Sequence, residues 1–332
     1  MELAKIFGSG MILQAEKPIL FFGTGKGIIK IFFDGKIHEK TVTDEKWVVE
    51  LPSCRGYGES CDISFDLNGK KKILYNVTFG DVFLCAGQSN MQFTLAEETP
   101  LSDVVENPMI RYFVSDRIEK YCGQKSDDGW QKCTKNSALR WSAIGYHFAQ
   151  TYFREKNVPI GVVGGFQGAS GIRSWVSKTC LTKEILLPIE KLHGDYSAPQ
   201  YSLWNKDGAL YEKTFLPIVP FSFKSVIWYQ GESDTTLDEG KIYKELLERL
   251  ILCWRKDLRD EKLPFVIVEI CDYNGRNDDG WRIIQQKQRE CAKEIDRVIC
   301  VQSSDVCSHD DIHPSKKLLL AERIARGLFK IN

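Results

Sequence analysis

Four turns that each follow a short apolar run carry the residue types an acyl-transfer site needs. The first is Ala86-Gly87-Gln88-Ser89-Asn90-Met91, directly after Val82–Cys85. A serine in a glycine-containing turn leaving a strand projects its hydroxyl into a cleft, with its own N–H beside the carbonyl under attack. Taken alone, the same residues make an ordinary turn or helix cap. The second is Gly164-Gly165-Phe166-Gln167-Gly168-Ala169-Ser170-Gly171, after Pro159–Val163. Its glycines allow close backbone approach, so that an N–H can face an oxyanion. A dinucleotide loop is the rival reading, but the spacing fits in part only and no acidic residue follows where a ribose would need one.

The third turn is Gln230-Gly231-Glu232-Ser233-Asp234, after Ser225–Tyr229, where a side-chain amide offers another oxyanion donor. The fourth is Asp310-Asp311-Ile312-His313-Pro314, after Val298–Val301. Proline in the first turn of a helix fixes the helix start, which predicts a rigid place for His313. An adjacent carboxylate bound to the far ring nitrogen would select the tautomer that accepts a serine proton. Of the other histidines, His38 lies in a strand-rich segment, His147 inside a predicted helix and His193 away from the strand ends, which leaves His309 as the competitor.

These turns gain meaning from the elements that hold them. Up to about residue 80 the chain reads as β: Ile19–Phe22, Ile28–Phe33, Lys36–Val42, Trp47–Leu51, Cys61–Phe65 and Ile73–Val77, punctuated by Gly23–Gly27, Asp34-Gly35 and Asn68-Gly69. Strands with turns every 8–12 residues predict a small β-sandwich. Beyond residue 80, strands Val82–Cys85, Pro159–Val163, Ser225–Tyr229, Pro264–Val268 and Val298–Val301 alternate with helical patterns over 142–156, 243–254, 281–295 and 314–329. That alternation predicts a parallel sheet covered on both faces, with functional residues at the carboxyl ends of its strands. Residues 115–140 are polar and read as a surface excursion.

Composition excludes several classes. The 332 residues include 45 basic and 45 acidic side chains, and the longest basic run is Lys70–Lys72, which argues against a nucleic-acid footprint and a polybasic membrane anchor. No stretch reaches the length of a membrane span, and Met1–Gly8 lacks the apolar core of a signal peptide, so a cytoplasmic location is expected. The 11 cysteines include no C-x-x-C pair, and neighbours such as Cys54/Cys61 and Cys122/Cys133 are spaced too widely for one; reduced, mostly buried thiols are expected. Asn76-Val77-Thr78 fits a glycosylation sequon, read as chance.

The motifs together resemble the sialate O-acetylesterase-like branch of the SGNH hydrolases over almost the full length. Phe79–Met91 looks like that family's nucleophile block, Val226–Ser233 like its third block and Asp311-Ile312-His313-Pro314 like its final block. Gly10–Gln14 through Pro18, and Trp47 to Pro52, resemble the β region that precedes the hydrolase fold in this branch. The resemblance implies an α/β fold, a flavodoxin-like three-layer sandwich with a parallel sheet (residues 80–332), preceded by a small N-terminal β-sandwich domain (residues 1–79). It implies an esterase that removes O-acetyl groups from sialic acid-type or plant-sugar hydroxyls without metal or organic cofactor.

Carried over residue by residue, Ser89 is the nucleophile and His313 the base. The N–H groups of Ser89 and Gly168 form the oxyanion hole, with Gln230, where most SGNH enzymes have asparagine, as a further donor. Asp311 is favoured as the acid, and Asp310 matches the spacing of the wider superfamily. Gln88, Glu232 and Arg173 are candidates for substrate contact. Arg173 and Gly171 stand where an acid and a proline are expected, Leu210-Tyr211-Glu212-Lys213 departs from Leu-Tyr-Asn-Gly, and Glu269 replaces a common glutamine. Arg173, Glu212 and Glu269 are thus expected near the acyl or sugar subsite. An acetylxylan-type esterase, a non-catalytic carbohydrate-binding protein on the same scaffold, and a flavin or nucleotide binder using Gly164–Gly171 are the alternatives.

Overall fold

In the computed structural model, the described residues are 1–52, 56–118, 125–182, 185, 201–276 and 279–331. Strands β1 (Glu2–Leu3), β2 (Ile12–Gln14), β3 (Ile19–Thr24), β4 (Gly27–Phe33), β5 (Lys36–Val42), β6 (Lys46–Leu51) and β7 (Ser60–Leu67) come first. Next is β8 (Lys70–Gly87), followed by β9 (Asn107–Val114), β10 (Gln131–Cys133), β11 (Ile160–Phe166), β12 (Ser225–Tyr229), β13 (Phe265–Val268) and β14 (Val298–Val301). The predicted turns are in place: Asp34-Gly35 and Asn68-Gly69 have positive φ at both residues and close the β4–β5 and β7–β8 hairpins, as a two-residue primed turn requires.

The central sheet runs β10-β9-β11-β8-β12-β13-β14, parallel throughout except for β10. Along β8 the side chains alternate: Val82, Leu84 and Ala86 face one apolar core, Phe83 and Cys85 the other. Helices Ala143–Lys156 and Lys317–Ile331 pack on the second core through Phe148 and Leu320, while Leu237–Asp257 and Gly280–Glu294 cover the first through Leu250, Trp254 and Ile284. Helices on both faces of a mostly parallel sheet are what the alternating pattern implied.

The N-terminal strands form a three-stranded sheet, β1-β3-β6, and a second group in which β4 pairs β5 and β7, and β7 pairs β8. Phe21 and Phe65 meet edge-to-face across them at 5.1 Å. The segments read as two strands, 73–77 and 82–85, are one continuous strand of 18 residues, and the boundary expected between residues 79 and 80 lies inside it. Its first half pairs with β7 and β2, its second half with β11 and β12.

Three expectations are corrected. Residues 115–140 are not simply a surface excursion: they include β10 and buried Trp130, whose indole N–H donates to the Ile6 carbonyl, while residues 119–124 lie outside the described residues. Cys180 and Cys253 form a disulfide, so the thiols are not uniformly reduced; Cys54 and Cys122 lie outside the described residues. The last helix begins at Lys317 rather than Pro314, so proline does not set its start.

Candidate active site

Strand β8 delivers Ser89 through a turn that only glycine can make. Gly87 has φ +142°, and a Cβ there would sit 2.0 Å from the Tyr229 carbonyl oxygen. This tight crossing lets Gln88 N–H donate to Tyr229 O at 3.0 Å, and Gln88 Oε1 accepts from Gly231 N–H at 3.2 Å. Ser89 then opens a one-turn helix, Ser89–Gln92.

His313 arrives from the far end of the chain. Its Nε2 lies 2.8 Å from Ser89 Oγ. The loop around it is held by two main-chain bonds: Asp311 Oδ1 accepts from the His313 N–H at 2.8 Å, and the Ile312 carbonyl accepts from Asn90 Nδ2 at 2.9 Å. Asp311 therefore makes an Asx-type turn and does not hydrogen-bond ring Nδ1, nor does the exposed Asp310. Among the described residues no carboxylate hydrogen-bonds the His313 ring; the segment is held through its main chain instead. Burial, and after it the charge of Lys317, pushes the imidazole below its ordinary range; Asp311 and Glu97 oppose this.

The competitor His309 faces Asp272, Nδ1 to Oδ2 4.0 Å, and lines a polar cleft of about 880 Å³ together with Tyr273, Arg276 and Arg282. His147 pairs with Glu98, and His38 lies in β5 opposite Ile31. His193 is outside the described residues.

Gly168 does come beside Ser89: a Cβ on it would be 3.7 Å from Ser89 Cβ. Its N–H donates to Gln92 Oε1 at 2.7 Å, and the same oxygen accepts from Arg117 Nη2 at 2.9 Å. Gln92 thus places a carbonyl oxygen against the amide expected to face an oxyanion. The loop after Gly168 is clamped by Asn205, which accepts from Gly171 N–H and donates to Ala169 O, both at 2.8 Å. Gly164, in contrast, is a packing glycine within β11; a Cβ there would meet the Phe166 ring at 2.7 Å and Tyr112 Oη at 2.9 Å, which argues against a phosphate loop.

Gln230 is corrected. Its Nε2 donates to Ser170 O at 2.9 Å and to Asp234 Oδ2, and Tyr243 Oη donates to its Oε1 at 3.1 Å. Both amide hydrogens are spent inside the protein, so the side chain braces the Gly168–Ile172 loop, aided by Asp234, which accepts from Ile172 N–H. The three substrate-contact candidates are committed as well. Gln88 is buried between strand ends; Glu232 is 1% exposed and accepts from Asn90 Nδ2 at 2.6 Å; Arg173 forks onto Asp207 at 2.9 and 3.0 Å. Glu212 pairs with Lys178 and buried Glu269 with Arg289, which gives both a partner in the fold rather than a place at Ser89.

Sequence reasoning missed Gln92, Arg117, Asn205 and Lys317. Asn90 and Gln92 follow Ser89 closely enough to be suspected, but nothing in the order of residues marks Arg117, Asn205 or Lys317. Among the described residues, no group of three or more His, Cys, Asp or Glu is placed to hold a metal, and no helix is long and apolar enough to cross a membrane.

Comparison with known proteins decides the family. The model for carbohydrate esterase, sialic acid-specific acetylesterase matches residues 79–329. This chain belongs to that family. Sialate O-acetylesterases of Mus musculus and Homo sapiens are 24% and 25% identical to it over 76% of the chain, covering 57% and 54% of their own lengths. The chain thus spans a little over half the length of these curated relatives. A carbohydrate acetylesterase from Xanthomonas citri superposes with a TM-score of 0.84 at 26% identity, covering 99% of this chain and 75% of that one. The family match begins at residue 79, within β8, and takes in both Ser89 and His313.

Proposed function

We propose that this protein is a serine esterase that hydrolyses O-acetyl groups from carbohydrate hydroxyls through an acetyl-serine intermediate. The observation that carries the reading is the 2.8 Å contact between His313 Nε2 and Ser89 Oγ. His313 takes the hydroxyl proton as Oγ bonds to the acetyl carbon. The carbonyl electrons move onto oxygen, toward the N–H groups of Ser89 and Gly168, with Gln92 Oε1 displaced from the latter. Collapse breaks the bond to the sugar oxygen, which leaves with the proton from His313. Water, deprotonated by His313, then attacks the acetyl carbon, and the same steps release acetate and restore Ser89.

Its relatives' names favour sialic acid-type substrates, while the Xanthomonas citri neighbour is named only for carbohydrate. The test is acetate release from 9-O-acetyl sialic acid, acetylated xylan and p-nitrophenyl acetate by wild type and Ser89→Ala. Loss of at least about 10⁴-fold in kcat in the variant is expected. Turnover of p-nitrophenyl acetate that survives in Ser89→Ala would reject the mechanism, and preference for acetylated xylan would move the substrate to plant polysaccharide.

A further inference from the structure

Asn90, the residue after the nucleophile, is fully buried, and its carboxamide is engaged on three sides. Nδ2 donates to Glu232 Oε1 at 2.6 Å and to the Ile312 carbonyl at 2.9 Å, while Oδ1 accepts from Lys317 Nζ at 2.6 Å. Lys317 is the first residue of the last helix and has no exposed surface. Its ammonium lies 5.1 Å from the Phe93 ring centroid and 5.5 Å from that of Tyr229. The second oxygen of Glu232 has no hydrogen-bond partner among the described residues.

A buried ammonium is costly, and the N-terminal end of a helix is the wrong pole for a cation. Packing does not account for a lysine here; a methionine would fill the same space between the two rings. What the ammonium does is hold the oxygen of Asn90, and so fix the direction in which the amide of Asn90 grips the chain one residue before His313. We propose that Lys317 is a positioning residue which, through Asn90, locks the Ile312–His313 segment onto the nucleophile turn and thereby sets the imidazole on Ser89. This supplies the orientation that Asp310 and Asp311 do not supply through the ring, and it rests on the Ser89–His313 reading above.

The charges around the pair are few. Lys317 is faced by Glu232, Glu98, Asp311 and the Cys271 thiol; His313 is faced by Lys317, Asp311 and Glu97. Burial, the larger influence, and the Lys317 cation both favour neutral imidazole, the form able to accept the Ser89 proton.

The test uses the full chain with Lys317→Met and Lys317→Gln, p-nitrophenyl acetate as substrate, and active sites counted by fluorophosphonate labelling. Per active site, kcat should fall roughly 10–100-fold with KM little changed, as expected for a misplaced base. The acid limb of kcat/KM should move to higher pH, because the cation that disfavours imidazolium is gone. Folded variants with wild-type kcat per site and an unmoved limb would overturn the proposal; a merely structural lysine would lower stability and leave both readouts where they are. If neither variant folds, Asn90→Ser, which cuts the link between Lys317 and the Ile312 carbonyl, decides: kcat per active site should fall by the same factor, and wild-type kcat overturns the proposal. Failure of the esterase reading is distinguishable, because it would show as wild type without Ser89-dependent acetate release.

Discussion

The Asp311 carboxylate accepts the main-chain N–H of His313 at 2.8 Å and does not bond its ring. In a Ser-His-Asp triad, converting the acid to its amide costs about 10⁴ in kcat, because the histidine tautomer is reversed. An amide oxygen can still accept a main-chain N–H. Asp311→Asn should therefore keep kcat within roughly tenfold of wild type, since only one charge-assisted bond is weakened. Steady-state kinetics of this variant beside Asp310→Asn would check it; a loss near 10⁴ in either would restore that acid to the ring.

Gln92 offers a second test. Its carbonyl oxygen occupies the Gly168 N–H, so an incoming oxyanion has to displace a bond worth about 1 kcal/mol net. In Gln92→Ala that competitor is absent. Phosphonate inactivation should quicken by roughly fivefold, the equivalent of that bond, with kcat nearly retained. Slower inactivation together with a large loss of kcat would show that the carboxamide takes part in turnover.

Stability should be sensitive to substitution at Gly87. A methyl group there meets the Tyr229 carbonyl oxygen at 2.0 Å, and φ +142° strains any other residue. Gly87→Ala should cost about 3 kcal/mol or more, because backbone on both strands must shift. Gly168→Ala, whose new carbon meets nothing nearer than 3.3 Å, should fold with far less loss. Denaturant melts of the two variants give the comparison, and equal midpoints would refute it.

Burial lowers Lys317 to about 8, whereas an unfolded chain holds a lysine proton up to about 10.4. Between those values the unfolded state binds the proton that the folded state has released, so folding gains from this group as pH rises. Wild type should therefore gain on Lys317→Met by up to about 1.4 kcal/mol per pH unit between pH 8 and 10. Urea melts of both proteins across that range measure the difference; a constant gap would mean that Lys317 titrates elsewhere.

Much of the scaffold was legible because buried parallel strands are continuous apolar runs: Ser225–Tyr229 and Val298–Val301 have the expected limits. Strand β9 was missed because Arg111 breaks its apolar pattern. That guanidinium is buried and hydrogen-bonded to the carbonyls of Gly10 and Asn76 and to Thr78, partners far away in sequence. The side chains of Ser89 and His313 meet as their strand-end placement suggested. Gln230 misled because residue type at a strand end says nothing about Ser170 and Asp234, which capture its amide. Pro314 suggested a helix start, but the place of His313 is held instead by the local turn at Asp311 and the tertiary contact from Asn90 to Ile312.

The strand Lys70–Gly87 limits how such a protein can be cut or recombined. A cleavage placed near residue 79 to free the C-terminal part would sever the strand whose far end leads to Ser89, and would cut through the stretch Thr78–Gly80 on which β2 pairs, leaving β7 with the N-terminal piece alone. Any shuffling of the N-terminal module must splice upstream of Lys70 and bring an edge that accepts the whole strand. The β region is thus less an attachment than the root from which Ser89 is held.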